Sequence, residues 1–303
     1  MRISPSTSEV LLTALQQSDR AEQTALLQLT TGRRVNVASD DPSAAARQVE
    51  LSSQSDACDQ FLRSISGIST ELQTADSSLS SAVTALQRAI TLGTEGANGT
   101  MSQDDRNVLA SEVQSISQQV LSVANLTYNG KYVFASTVDS QPPYVTEAGS
   151  IVYQGNDSVN QVEIEAGQTI AVNQPGSQLF SAAGANVFQA LSDLATALQS
   201  SSSTTDDIAN ATSEVSAAYK QLNVGRVFYG STLDQLNDSQ NFLNTEKLQL
   251  TQQTSDTVGV DMKKAATNLA NAEAARSAVL QATASVGNLS LFNYLSGTST
   301  TTG

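Results

Sequence analysis

The chain has 303 residues, with 39% hydrophobic, only 5% aromatic, no Trp and 5 Pro. Its net charge is -14 and its sequence pI is near 4.3. That excludes nucleic acid and anionic membrane surfaces as partners, because no basic surface exists to displace counterions. With no His and one Cys, Cys58, imidazole acid–base chemistry and an intrachain disulfide are excluded as well.

Apolar spacing predicts a mainly helical chain with a β-rich insert (α+β). Ser6-x-x-Glu9 reads as a capping box that opens the first helix. Leu11, Leu15, Ala25 and Leu29 follow at heptad spacing, with Ser18 and Glu22 as polar seam positions, and Leu12 and Leu26 form an adjoining stripe. Gly32 is placed to end this helix. A tight turn from Arg33 to Asp41 comes next, and Asp41-Pro42 restarts a helix as cap and first helical residue. Ile65, Ile68, Leu72, Ala75, Leu79, Ala82, Leu86 and Ala89 then step by three and four without a miss. Leu92 to Thr100 reads as a Gly-bearing connector. Ser102 caps a third helix with the seam Leu109, Val113, Ile116, Val120 and Val123.

The period changes to two after Asn129-Gly130, a turn dipeptide. Tyr132-Val133-Phe134, Ile151-Val152-Tyr153, Val162-Glu163-Ile164 and Ile170-Ala171-Val172 read as strands. Gly155-Asn156-Asp157 reads as a hairpin turn between the second and third of these runs. An insert of roughly 45 residues is too small to be comfortable alone. Helical spacing returns at Val187, Leu191, Leu194 and Leu198. After a polar linker, Ser200 to Thr205, one very long helix carries Ile208, Ala211, Val215, Ala218, Leu222, Leu236, Leu243 and Leu250. Gly259 marks a break. The last helix places Met262, Ala265, Leu269, Ala272, Val279 and Val286 on one seam, interrupted by Arg276 and Thr283. It ends near Leu289-Ser290-Leu291-Phe292-Asn293-Tyr294-Leu295, and residues 296–303 read as a disordered tail. The first and last helices are expected to pair, since neither can bury its seam alone. The expected divisions are 1–40 and 258–303 as terminal assembly segments, 41–136 and 186–257 as helical bundle, and 137–185 as the β insert.

Candidate chemistry reduces to local structure. Gly93-x-x-Gly96-x-x-Gly99 lacks the phosphate-loop spacing and no strand precedes it, so it reads as a connector. The acidic pairs Asp40-Asp41, Asp104-Asp105 and Asp206-Asp207 all sit at helix starts, where negative charge complements the helix dipole. No metal-ligand spacing, cofactor motif or catalytic constellation is visible. Cys58 lies between Asp56 and Asp59, neighbours that raise a thiol pKa, and reads as structural. No signal-peptide core follows Met1, and no apolar run reaches membrane-spanning length, so no membrane insertion is expected.

Leu29-Thr30-Thr31-Gly32-Arg33-Arg34-Val35-Asn36-Val37-Ala38-Ser39-Asp40-Asp41-Pro42-Ser43-Ala44-Ala45 resembles the N-terminal signature of the bacterial flagellin family. Three further stretches resemble the hook–filament junction branch of that family. They are Asn129-Gly130-Lys131-Tyr132-Val133-Phe134-Ala135-Ser136-Thr137, the strand set from Tyr153 to Phe180, and the ending Ser290 to Leu295. The sequence departs from the family pattern at Val37-Ala38, where Ser-Pro or Ser-Ala is frequent, and at Ala135-Ser136, where Gly residues are usual; local turn geometry is expected to differ there. The resemblance implies a structural subunit rather than an enzyme. It would be exported unfolded by the flagellar type III apparatus with an export chaperone, and would work extracellularly. Its implied partners are identical copies in a ring, hook-associated protein 1 and flagellin, without cofactor or metal. Its implied assembly interface is Leu11, Leu15, Ala25, Leu29, Arg33, Arg34, Asn36, Asp40 and Asp41 at one end. At the other it is Met262, Ala265, Leu269, Ala272, Val279, Val286, Leu289, Leu291, Phe292 and Leu295. The alternatives are a short flagellin, a polysaccharide-active enzyme on a helical scaffold, and an adhesive surface protein.

Overall fold

A computed structural model describes residues 5–138 and 140–296, with side chains described for 9–138 and 140–285. The chain folds as two compact units. The end unit is built from the chain up to Asp56 and from Lys247 onward; the middle unit is Ala57–Glu246.

The end unit contains α1 (Pro5–Thr31), the start of α2 (Pro42–Gly96), the end of α6 (Thr205–Val258) and α7 (Met262–Ser296). Helix α1 begins at Pro5, one residue ahead of the expected cap, a natural first position for a residue without an N–H. The side chain of Ser6 lies outside the described residues. Gly32 closes α1 at φ +67°, its N–H donating to the Gln28 carbonyl at 2.9 Å. Helices α1 and α7 pack antiparallel: Gly32 lies beside Val260, and Ser18 beside Ala272.

In the middle unit, α2 and α6 run antiparallel. Asp76 pairs with Arg226 at 2.9 Å, and Gly93 lies against Thr212. The predicted α2 seam is buried at every position except the half-buried Ile68, and the α6 seam is buried throughout. Each fully buried Leu or Ile contributes about 1.5–3 kcal/mol. Tyr229, Thr232 and Ser239 complete the α6 seam. Sequence spacing missed them because two are polar, and only the packed partner shows that they face inward.

The expected connector at Leu92 is corrected, since α2 runs on to Gly96. A Cβ at Gly93 would lie 2.3 Å from the Thr212 hydroxyl, and one at Gly96 would lie 2.2 Å from a Leu198 methyl. These glycines serve close helix packing, a role that spacing does not distinguish from chain flexibility. Helix α3 (Gln103–Ala124) packs on α5 (Val187–Gln199). Gln103 Nε2 donates to the free carbonyls of Leu198 and Gln199, both at 3.0 Å, closing the end of α5.

Four two-stranded antiparallel hairpins and the short helix α4 (Gly176–Phe180) fill the rest of the middle unit. The hairpins are β1 (Thr127–Tyr128) with β2 (Lys131–Tyr132), and β3 (Tyr144–Glu147) with β4 (Ser150–Tyr153). They continue with β5 (Gln161–Glu165) and β6 (Gln168–Ala171), then β7 (Ser181–Ala182) and β8 (Ala185–Asn186). The expected pairing across Gly155-Asn156-Asp157 is corrected. Strand β4 pairs back with β3 through Ala148-Gly149, and β5 pairs with β6. Ala148 (φ +48°) and Gly149 (φ +85°) form the tight turn. An Ala in that conformation is uncommon, so no turn dipeptide announced it. Asn129-Gly130 does turn as predicted, at φ +51° and +80°.

The hairpins lean on an aromatic cluster. Tyr144 is its hub, with ring centroids 5.0 Å from Phe188, 5.1 Å from Tyr153 and 5.7 Å from Phe180. The Asn125 side chain mimics a strand partner: its Nδ2 donates to the Tyr144 carbonyl at 2.8 Å, and its Oδ1 accepts the Tyr144 N–H at 2.9 Å. The Tyr144 hydroxyl donates to the Gly176 carbonyl at 2.6 Å, and burial pushes its pKa up. Ser136, which stands where the resembled family usually has Gly, is held at φ +60° and is buried. Its Oγ accepts from Asn173 Nδ2 at 3.3 Å, a contact glycine could not make.

Candidate assembly surface

The end unit joins its two chain breaks to each other. Between α1 and α2 the chain turns through Arg33 to Asp41; between α6 and α7 it breaks at Gly259. These segments meet as a short antiparallel bridge, Arg33 with Gly259. Arg34 N–H donates to the Val258 carbonyl at 2.7 Å, and Val260 N–H donates to the Gly32 carbonyl at 3.1 Å. The Arg34 guanidinium reaches both sides, giving one N–H to Asp41 Oδ2 at 3.1 Å and another to the Thr257 carbonyl at 3.0 Å. Beneath the bridge, Val35, Ala44 and Val258 form a small buried cluster. A Cβ at Gly259 would stand 2.2 Å from the Ser255 backbone carbonyl, so only glycine fits.

The acidic pair of this turn is spent on the backbone. Asp40 Oδ2 accepts the N–H groups of Asn36 (2.9 Å) and Val37 (3.0 Å), and these bonds lower its pKa. Asn36 Nδ2 donates to the Arg33 carbonyl at 3.0 Å. Asp41 Oδ1 accepts from Ser43 Oγ (2.7 Å) and from the Ala44 N–H (3.0 Å). The Ser43 hydroxyl, then the Ala44 amide, then Arg34 hold the Asp41 carboxyl down at about 2.

In each of the other acidic pairs one member, Asp105 or Asp207, takes part in a helix cap. Ser102 Oγ accepts the Asp105 N–H at 3.2 Å. Thr204 and Asp207 cap each other reciprocally, Asp207 Oδ2 accepting both the Thr204 N–H and its hydroxyl at 2.8 Å. One carboxylate of each of these pairs is thus bonded at its helix start: Asp105 Oδ2 accepts from Ser102 Oγ at 2.7 Å, and Asp207 accepts from Thr204. Cys58 is buried, and burial, with the Glu246 carboxylate close by, pushes its thiol up. Among the described residues no cluster of metal-ligating side chains occurs, and no helix is long and apolar enough to cross a membrane.

The structure brings most of the named interface residues together. Ala25 (3% exposed), Ala265 and Ala272 are buried between α1 and α7, and Leu11, Leu15, Leu29, Leu269 and Val279 are half-buried. Met262, the first residue of α7, is 53% exposed and so is not part of the buried α1–α7 seam. Val286, Leu289, Leu291, Phe292 and Leu295 lie on α7, but their side chains fall outside the described residues. Ser18, a polar position of the predicted seam, is buried and donates to the Ala272 carbonyl at 3.1 Å. Arg276, an interruption of the α7 seam, pairs with Asp19 at 3.0 Å and Glu22 at 3.1 Å. Such exposed pairs are worth only about 0–1 kcal/mol each, so they set register more than stability. Spacing missed Val35 and Val258, since each is a lone apolar residue outside any helical period. Beside the seam an open groove of about 520 Å³ runs along Arg20, Thr24, Gln28, Asn268 and Asn271. Exposed Leu12, Leu26 and Leu27 remain on α1. The pair thus leaves apolar surface that it does not cover itself.

Long helical chain ends tied by a turn, with short hairpins in the chain between them, define a helical structural protein of the flagellar type. The family model described as the bacterial flagellin N-terminal helical region matches residues 6–139. Flagellar hook-associated protein 3 of Escherichia coli K12 is 30% identical over 287 residues, 88% of this chain and 90% of its own length. A solved flagellar hook-associated protein of Vibrio parahaemolyticus shares the fold, with TM-score 0.69 at 21% identity, covering 73% of this chain and all of that one. Polar flagellin E of Vibrio parahaemolyticus is 34% identical, but over only 37% of this chain and 30% of its own length. The chain belongs to the flagellar hook-associated protein 3 family. The short-flagellin alternative is thereby set aside, because likeness to that flagellin covers little more than a third of the chain, while likeness to the hook-associated protein spans both ends and the insert.

Proposed function

We infer that this chain is a structural subunit of the junction between the hook and the filament of a bacterial flagellum. The single observation that carries this reading is the near full-length relationship to hook-associated protein 3, including the paired ends. In the proposed scheme the chain is exported through the flagellar type III apparatus, held by an export chaperone beforehand. It then joins identical copies in a ring on hook-associated protein 1, and that ring receives flagellin. The end unit, with its covered seam and uncovered leucines, is the part that meets neighbours, through the interface residues named above. Lack of disulfides and a low aromatic content favour passage as an unfolded chain, since no staple must form before export. The five divisions expected from the sequence are retained as proposed working parts of this subunit.

Deletion of the gene in the source bacterium tests the reading. Cells should keep hooks, lose filaments and swimming, and release flagellin into the medium. Normal filaments in the deletion strain would refute it. A second check is filament growth: purified chain added to filament seeds should not elongate them.

A further inference from the structure

Only two asparagines of this chain are followed by glycine, Asn98 and Asn129. Both lie exposed in the middle unit, yet their surroundings differ. Asn129 sits inside a closed hairpin. It is held at φ +51°, with Tyr128 paired to Lys131 across the turn. Asn98 lies in the connector between α2 and α3, outside any strand pairing. Its side-chain Oδ1 accepts from one residue twice: from the Thr100 hydroxyl at 2.9 Å and from the Thr100 N–H at 3.2 Å. The Asn98 side chain thereby spans Gly99, whose own N–H donates to no acceptor among the described residues. A Cβ at Gly99 would meet only Thr205 Cγ2, at 3.8 Å, so packing does not demand a glycine there.

We propose that Asn98 is a site of spontaneous covalent modification, converting to aspartate and isoaspartate with solvent water as co-reactant, and that Thr100 promotes the step. Hydroxide takes the Gly99 amide proton, and the amide nitrogen attacks Asn98 Cγ. The N–Cγ bond forms, the Cγ–Nδ2 bond breaks, and Nδ2 leaves as ammonia with a proton from water. The product is a cyclic imide. Water then opens it at Cγ, giving aspartate, or at the Asn98 backbone carbonyl carbon, giving isoaspartate. During the attack negative charge develops on Oδ1, where the two Thr100 donors already stand. A hydrogen bond to that developing anion is stronger than the same bond to the neutral amide, and the difference lowers the barrier. Glycine as the next residue leaves the attacking nitrogen uncrowded and its backbone free to turn. At Asn129 closing the same ring turns the backbone out of the hairpin, against the pairing of Tyr128 with Lys131. The new carboxylate appears on a residue whose carbonyl accepts from Arg106 Nη2 at 3.3 Å, and the isoaspartate form lengthens the connector between α2 and α3.

The test is timed incubation of the full chain in mildly alkaline buffer, followed by peptide mass spectrometry with aspartate and isoaspartate products separated by chromatography. Asn98 should convert about fivefold faster than Asn129 or more, the factor in rate that one net hydrogen bond is worth. Both products should form at Asn98. In urea, where neither the Thr100 contacts nor the hairpin persist, the gap between the two sites should close. Thr100→Val keeps the N–H and loses the hydroxyl; it should slow conversion at Asn98 about fivefold. The same variant should leave Asn129 at the parent rate, which also shows that the middle unit has folded. Thr100→Ser restores a hydroxyl and should convert like the parent. The proposal is overturned if Asn129 converts as fast as Asn98 in the folded chain, if the gap persists in urea, or if Thr100→Val converts at the parent rate.

Discussion

Gly259 occupies a position that admits no side chain, because the obstacle is the Ser255 backbone carbonyl rather than a movable group. Gly259→Ala should destabilise the end unit by about 1–3 kcal/mol, the usual cost of overpacking. It should also speed amide exchange at Arg34 and Val260, the two donors of the bridge. Unchanged exchange there would count against the bridge as the joint of the two chain breaks. Asp40 and Asp41 make the same turn sensitive to acid. Both carboxyls are held below the ordinary range, Asp41 at about 2. A carboxyl whose folded pKa is depressed stabilises fully above its unfolded value, about 3.9, and loses that contribution as pH falls through the folded value. The turn should therefore keep its protection down to about pH 4 and lose it progressively toward pH 2, read by amide exchange at Asn36, Val37 and Ala44. Asp41→Asn should lose part of that dependence.

Single elements show how far pattern carries. The α2 seam from Ile65 to Ala89 needed only its period, since side chains three and four apart share one face whatever they pack on. The hairpins did not follow so easily. Strand runs were visible, yet their partners depended on Ala148-Gly149, a turn with an unfavoured residue at its first position. Ala148→Asn places a residue that tolerates positive φ and should stabilise the middle unit by about 0.5–1 kcal/mol, measured by denaturant unfolding. A loss of stability would mean that the turn is not as described. The connector after Leu92 failed for a related reason: glycine marks loops and close packing alike, and only Thr212 and Leu198 decide which.

Over the whole chain, the two units differ in what holds them. The middle unit has Ile and Leu seams and an aromatic cluster around Tyr144. The α1–α7 pair rests on buried alanines, where each methyl contributes only about 0.8 kcal/mol. Amide exchange on the isolated chain should accordingly show weaker protection in α1 and α7 than in α2 between Ile65 and Ala89. Equal protection across both units would contradict this ranking. In an assembly, where the exposed leucines of the end unit are covered, protection of α1 and α7 should rise.

The sequence by itself determined the helical class, the heptad seams, the turn between Gly32 and Pro42, and the exclusion of imidazole and disulfide chemistry. These depend on local spacing and on which residue types exist at all. Only the tertiary structure decided that Ser18, a polar seam position, and Arg276, a break in the α7 pattern, are contacts between the two ends. It also decided which strands pair, why Gly93 and Gly259 are glycines, and that Val35 and Val258 share one small core. Ser18, Arg276, Val35 and Val258 depend on partners more than two hundred residues away, which no local period records; the strand pairing and Gly259 depend on backbone geometry that residue type alone leaves open.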